Sequence, residues 1–183
     1  MIGRLIYVIG PSGAGKDSVL DALREKWNLP FPTHWARRTI TRPSGSQGEL
    51  HEAVDDDTFN ALLQAQNFSL HWVANGLRYG IRREELQPLS RGHWVFVNGS
   101  RGHLPELVRL WPNATIVYIS ASLGTLRTRL ASRGRESAQA INERIARNLE
   151  LPPPEGCIHI QNDGTLDDAV SSLMASLGAS VLR

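Results

Sequence analysis

Cysteine and lysine are scarce in this chain, and long apolar runs are missing. A single cysteine, Cys157, in 183 residues excludes an internal disulfide and a cysteine-based metal cage, so a reducing compartment is the expected setting. The longest apolar stretches, Leu5 to Ile9 and Ile116 to Ile119, are far shorter than the roughly 20 residues that span a bilayer, and no membrane association is expected. The short apolar run near the N-terminus leads straight into Gly10 and Pro11 without a small-residue cleavage pattern. Export is not expected, and the cytoplasm is the expected location. Of the 20 basic residues only Lys16 and Lys26 are lysines. Arginine reads phosphate with a two-pronged fork, so the bias suits a phosphate-rich site, although a GC-rich genome produces the same bias. A net charge of +2 with no long basic run gives no reason to expect a nucleic-acid partner. The six histidines (34, 51, 71, 93, 103 and 159) show neither an HExxH spacing nor a paired cluster, so no histidine metal site is expected.

The apolar fraction of 41% and charged fraction of 21% are those of an ordinary globular chain, and the length suits one domain, residues 1–183. Short apolar runs bounded by turn residues predict strands at Leu5 to Ile9, Trp94 to Asn98, Thr115 to Ser120 and Cys157 to Gln161. Helical patterns cover Lys16 to Trp27, Asp55 to Gln66, Arg83 to Ser90, Leu104 to Trp111, Leu123 to Arg133, Ser137 to Leu149 and Leu166 to Leu177. Buried strands separated by helices predict an α/β fold, a three-layer α/β/α arrangement around a mostly parallel sheet. The core then comprises residues 1–30, 91–122 and 151–183. Two polar, arginine-rich segments fit this core poorly. They are read as a substrate-binding insertion, about 31–90, and a lid, about 123–150.

The run Gly10-Pro11-Ser12-Gly13-Ala14-Gly15-Lys16 follows the first predicted strand and opens the first helix, the context a phosphate-binding P-loop requires. Glycines at these positions let backbone N–H groups surround phosphate oxygens. The helix N-terminus adds partial positive charge, and Lys16 reaches the β and γ phosphates of ATP or GTP. The next position departs from the usual Ser or Thr: it is Asp17, followed by Ser18. Asp17 either contributes to holding Mg²⁺ or stabilises the first helical turn, and the sequence leaves both open.

Several further segments accompany this loop. They are Arg38-Thr39-Ile40-Thr41-Arg42, Gly48-Glu49-Leu50-His51, Ala74-Asn75-Gly76-Leu77 with Tyr79-Gly80, Val97-Asn98-Gly99-Ser100-Arg101, Arg133-Gly134-Arg135-Glu136 and Asn162-Asp163-Gly164. In order and spacing, over nearly the whole chain, these resemble the guanylate-kinase-like group of P-loop kinases. Within that group, Asp17 and the Asn98-to-Arg101 run resemble the ribose 1,5-bisphosphate kinases associated with bacterial phosphonate degradation. The resemblance implies ATP and Mg²⁺ as cofactors and a small phosphorylated sugar, ribose 1,5-bisphosphate, as acceptor, with 5-phosphoribosyl 1-diphosphate as product. It says nothing about oligomeric state.

The resemblance also implies roles residue by residue. Residues Gly10 to Ser18 would hold the nucleotide phosphates, and Arg129, Arg133 and Arg144 would close over them from the lid. Arg127, Arg135 and Arg147 are read as surface residues, and Arg37 is left open. Arg38, Arg42 and Tyr79 would grip the acceptor phosphate. His51 either contacts that phosphate or is a loop histidine. Where a guanylate kinase carries carboxylates that read guanine, this chain has His71 with Trp72 and, at the second position, Asn98. Asn98 and Arg101 suit sugar hydroxyls and a second phosphate, or else form a structural turn at Gly99. Asn162 and Asp163 either border the adenine ring or cap the last helix. A guanylate-type nucleoside monophosphate kinase and a non-catalytic interaction module are the alternatives; the missing acidic readers argue against the first and the intact P-loop against the second.

Overall fold

Strand β1 (Arg4–Ile9) is built from apolar residues almost inaccessible to solvent from Leu5 to Ile9, so both of its faces are covered. That is the signature of a central strand in an α/β sheet. β7 (Trp94–Asn98) is buried along its whole length, and β8 (Thr115–Ser120) is buried at Val117, Tyr118 and Ile119. With β2 (Thr33–Trp35) and β9 (Ile158–Gln161) they form a five-stranded, mostly parallel sheet in the order β2-β7-β1-β8-β9. β2 runs parallel to β7, and β9 parallel to β8. The computed structural model describes residues 2–42, 51–132, 138–149 and 152–180, with the backbone alone at 138, 140, 144 and 147–149. The result is the expected α/β class, helices around a mostly parallel sheet. No helix among the described residues is long and apolar enough to cross a membrane.

The chain divides into two compact units, residues 8–29 with 116–183, and residues 1–7 with 30–115. In the first, α1 (Lys16–Lys26) buries Val19, Leu20 and Leu23 on one stripe, and α7 (Leu166–Ala179) buries Ala169, Val170, Leu173 and Leu177. α7 starts at a capping box in which Thr165 Oγ1 accepts from the Asp168 N–H (3.1 Å) and the Asp168 carboxylate accepts from the Thr165 N–H (3.3 Å). α5 (Leu123–Ser132) and α6 (Ala138–Leu149) meet through Leu130, Ile141 and Ile145.

The second unit contains a four-stranded sheet absent from the strands expected above. Its order is β4-β3-β6-β5, with β3 (Arg38–Ile40), β4 (His51–Ala53), β5 (Phe68–Ala74) and β6 (Leu77–Arg82). β3 pairs in parallel with β4 and antiparallel with β6, and β5 and β6 form a hairpin. The hairpin turns at Asn75-Gly76, both residues with positive φ (51° and 73°), which is the I′ geometry matching strand twist. Helix α2 (Asp56–Gln64) is capped by the Asp55 carboxylate, which accepts from the Thr58 N–H at 2.8 Å. The helix expected at Arg83 to Ser90 is a single turn, α3 (Arg83–Leu86), continued as a 3₁₀ segment to Arg91, because Pro88 has no N–H for the next helical bond. α4 (Leu104–Leu110) completes the unit.

Where β1 ends, Gly10 adopts φ 153°, and a Cβ placed there would overlap the Ile119 carbonyl oxygen of β8. Gly10→Ala is therefore expected to destabilise the fold by about 1–3 kcal/mol. A lower denaturant midpoint at unchanged slope is the expected reading. An unchanged midpoint would show that the strand end has room to shift.

Candidate active site

On the side of residues 8–29 and 116–183, the turn from β1 into α1 surrounds a small cavity of about 90 Å³ lined by Ser12, Gly13, Gly15, Lys16, Asp17 and Ser18. Gly15, the N-cap of α1, has φ 87° and supplies no side-chain cap, so the positive end of the helix dipole faces the cavity without a capping side chain. Lys16 Nζ folds back along the loop and donates to the carbonyls of Gly10 (3.0 Å) and Pro11 (3.2 Å). Asp17 lies both in the first turn of α1 and in the cavity lining, compatible with either role open to it. Its negative charge reaches Asp21, one turn on, where burial first and Asp17 second raise the carboxyl above its ordinary range.

Two groups from elsewhere in this unit converge on Ala14. The Asn162 amide, buried at 3% exposure, donates to the Ala14 carbonyl at 2.8 Å, and Arg129 donates to the same oxygen at 3.4 Å. A Cβ on Gly15 would stand 2.6 Å from Asn162 Nδ2 and 3.6 Å from the Arg129 guanidinium. Asn162 thus reaches the phosphate loop itself, and the cap of α7 is Thr165 rather than Asn162 or Asp163. Asp163 accepts from the backbone N–H of Ser122, just before α5 (2.8 and 3.1 Å), and from Gln161 Nε2 (2.8 Å). Donors from Gln161, Thr125 and Ser122 hold its carboxyl far below the usual range. The carboxylate therefore sits at the positive end of the helix that carries Arg129. Arg127 is exposed, as expected of a surface residue. Arg133 and Arg135 lie outside the described residues, and Arg144 and Arg147 are on α6 with only their backbone described.

On the side of residues 1–7 and 30–115, strand register decides which residues meet. Arg38 is opposite both His51 and Ile81, and Ile40 is opposite Tyr79, which is in turn opposite Trp72. Alternation then puts Arg38, His51, Tyr79 and Trp72 on one face of the four-stranded sheet. The Arg38 guanidinium lies 5.5 Å from the Tyr79 ring centre, so the structure brings these two expected acceptor residues together. Arg42, two residues past the end of β3, lines a cleft of about 690 Å³ with Thr41, Ala53, Val54, Asp55, Asp56 and Thr58. Arg37 is exposed and its N–H is bound by the Glu85 carboxylate at 3.0 Å.

The opposite face holds a brace that sequence reasoning missed. Thr39 donates to one Glu52 oxygen at 2.8 Å, and Arg82 donates to the other at 2.5 Å. Glu52 directly follows the quoted segment ending at His51, but its partners are 13 and 30 residues away, so only the pairing of β3, β4 and β6 reveals it. Asn98 is buried at the end of β7, and Arg101 starts the 3₁₀ turn Arg101–His103. Tyr7 and His103 join this region by a 3.0 Å hydrogen bond spanning 96 residues of sequence, which no local pattern signals.

Comparisons with known proteins bear on the family and the fold. The family model for guanylate kinase matches residues 2–179. A protein of Pseudomonas paraeruginosa named ribose 1,5-bisphosphate phosphokinase PhnN is 44% identical over 180 residues, covering 97% of both chains. One of the same name from Thiobacillus denitrificans is 43% identical over 176 residues, 96% of this chain and 93% of the other. Among solved structures, guanylate kinase from Anaplasma phagocytophilum superposes with a TM-score of 0.71 over 100% of this chain and 88% of that one; at 16% identity it attests the fold alone. With its phosphate loop at the end of β1 and a match along nearly its whole length, this chain belongs to the guanylate kinase family.

Proposed function

We propose that the chain transfers the γ-phosphoryl group of ATP to the 1-phosphate of α-D-ribose 1,5-bisphosphate, giving 5-phosphoribosyl 1-diphosphate and ADP. The observation that carries this reading is the 44% identity to a ribose 1,5-bisphosphate phosphokinase along the full span of the chain, phosphate loop included. The cytoplasm, where ATP is made and used, is the proposed setting.

An acceptor phosphate has a second pKa of about 6 and is mostly dianionic at neutral pH, so its oxygen attacks without a general base. A bond forms from that oxygen to the γ phosphorus, and the bond from the γ phosphorus to the bridging oxygen breaks, leaving the electron pair on ADP. The protein's task is electrostatic: to bring several anions into line and to hold the charge that spreads over the transferring group. Lys16, held at the loop by two carbonyls, is proposed to exchange those contacts for the β and γ phosphates. Arg129 is half-buried beside the same loop, and Arg133 and Arg144 are proposed to complete the positive charge over the donor. Mg²⁺, when bound, neutralises phosphate charge, and the Asp17 carboxylate in the cavity lining offers the oxygen ligand that this ion prefers. The position of Asn162 supports a role in shaping the loop, with Asp163 fixing the start of α5.

For the acceptor, Arg38 with Tyr79 is proposed to grip one phosphate, assisted by Arg42 and His51. Asn98 and Arg101 are assigned the sugar hydroxyls and the second phosphate. Trp72, at 8% exposure and stacked on Tyr79 with centroids 5.6 Å apart, offers a flat apolar surface where a base reader would need a carboxylate.

The direct test measures ADP release with ATP and Mg²⁺ on ribose 1,5-bisphosphate and on GMP in separate reactions. Turnover of the first with 5-phosphoribosyl 1-diphosphate as product is expected; preference for GMP would overturn the reading. Lys16→Ala is expected to lower kcat by about 100-fold or more with the melting temperature unchanged, and full activity would remove Lys16 from the mechanism. Asp17→Ala should raise the Mg²⁺ concentration needed for half-maximal rate; an unchanged requirement leaves Asp17 a helix-start residue. Asn162→Leu leaves the buried Ala14 carbonyl to the longer 3.4 Å contact from Arg129 and is expected to cost about 1–3 kcal/mol of stability and to raise KM for ATP but not for the acceptor. Equal effects on both KM values would contradict a loop-specific role.

A further inference from the structure

β7 ends at Asn98, and the chain then wraps the phenol of Tyr7. A Cβ on Gly99 would overlap the Tyr7 ring carbons, so only glycine lets the turn approach this closely. The Ser100 N–H donates to Tyr7 Oη at 3.1 Å, and Tyr7 Oη stands 3.0 Å from His103 Nδ1. The His103 N–H closes the turn onto the Ser100 carbonyl at 3.2 Å. A carboxylate facing Nε2 favours the proton on that nitrogen, which leaves Nδ1 of the neutral ring to accept from the phenol hydrogen while the phenol oxygen accepts from Ser100. This pattern assigns His103 as the neutral imidazole protonated on Nε2, which faces the Glu106 carboxylate at 3.6 Å. Tyr7 is inaccessible to solvent and His103 is 5% exposed, so neither is placed to touch a substrate.

The same imidazole begins a column of rings. His103 stacks on Trp72 (5.3 Å), Trp72 on Tyr79 (5.6 Å, planes within 2°), and the Arg38 guanidinium lies over Tyr79. The column joins the two segments assigned to the acceptor: Asn98 to Arg101 at one end and Arg38 with Tyr79 at the other.

We propose that Tyr7 and His103 are positioning residues for the acceptor, their hydrogen bond holding the Asn98–Arg101 turn, and through the ring column Arg38, in the arrangement that receives the phosphorylated sugar. This inference rests on the proposed function, since it needs that turn to be an acceptor-binding segment. It carries a pH dependence. Burial lowers the His103 pKa from its ordinary value, with His71 of β5 adding to the shift and Glu106 of α4 opposing it; Arg38 of β3 acts on the neighbouring Tyr7. At neutral pH Nδ1 accepts from Tyr7. As the pH falls through the lowered pKa, Nδ1 gains a proton and can no longer accept from the phenol, so the Tyr7–His103 bond in this arrangement is lost and the turn is held by the Ser100 contact with less support.

The test compares wild type with Tyr7→Phe, His103→Leu and His103→Asn, varying ATP and acceptor separately. Tyr7→Phe and His103→Leu are expected to raise acceptor KM by about five- to tenfold, with kcat and the KM for ATP within about twofold. His103→Asn, whose amide oxygen replaces Nδ1 as acceptor, is expected to recover most of that loss. Below pH 6.5 the acceptor KM of wild type should rise more steeply than that of His103→Asn, because titration of the acceptor phosphate is common to both. An unchanged acceptor KM in Tyr7→Phe and His103→Leu overturns the proposal. So does a proportional loss in all parameters without recovery in His103→Asn. If His103→Leu does not fold, Tyr7→Phe and the pH comparison decide. Should wild type use GMP in place of ribose 1,5-bisphosphate, the proposed function fails, and the same KM comparison on GMP still decides the positioning role; turnover of neither overturns both.

Discussion

The Ala14 carbonyl is the point on which the nucleotide side of the protein depends. A buried carbonyl needs a donor, and here two converge: the Asn162 amide from beyond β9 and the Arg129 guanidinium from α5. With that oxygen turned inward, and with Gly13 and Gly15 both at positive φ, the peptide planes of the loop have little freedom. The start of α1, with its partial positive charge, then lies along that fixed loop. The same contact places an arginine of α5 beside the loop before any ligand arrives. Asp163 extends this logic, because its ionised carboxylate ties the start of α5 to the end of β9. One short stretch, Asn162-Asp163, thereby positions both the loop and the helix that carries Arg129.

The acceptor side solves a different problem, holding long cationic side chains still. The four-stranded sheet separates the residues proposed for recognition from those that support them by its two faces. Arg38, His51, Tyr79 and Trp72 occupy one, while Thr39, Glu52 and Arg82 brace the strands from the other. Resting a guanidinium on an aromatic ring costs less side-chain entropy at the moment of binding than ordering it from solvent. The aromatic composition of the recognition face also matters for selectivity. Rings and buried amides can pack against a sugar, but they do not supply the ionised acceptors that guanine N1 and N2 donors require.

Both sides serve a reaction whose difficulty is charge rather than bond-making. The phosphate acceptor is its own nucleophile, which explains why this protein presents arginines, a lysine and amides in place of a base and an activated hydroxyl. The positioning role proposed for the buried Tyr7 and His103 pair follows the same logic, since an electrostatic site works only as well as its charged groups are placed.

Much of the core was legible from sequence. Apolar runs marked β1, β7 and β8, alternating apolar residues marked β9, and 3.6-residue periodicity marked the long helices, because these elements bury apolar residues against the interior regardless of detail. The phosphate loop was legible for a similar reason: its geometry is local, made by glycines and a lysine a few residues apart. The four-stranded sheet was less so, since β3 and β4 are three residues each, too short for a period to emerge, although Asn75-Gly76 between alternating residues is a readable hairpin signal. The sequence by itself determined the fold class and the glycine-rich loop between the first strand and the first helix, and its family resemblance named Arg38 and Tyr79, which the structure brings together. Only the tertiary structure decided that Asn162 holds the loop, that Glu52 braces Thr39 and Arg82, and that Tyr7 bonds His103. Those contacts join residues 13 to 148 positions apart, and such distances are closed by strand register and helix packing rather than by any local pattern.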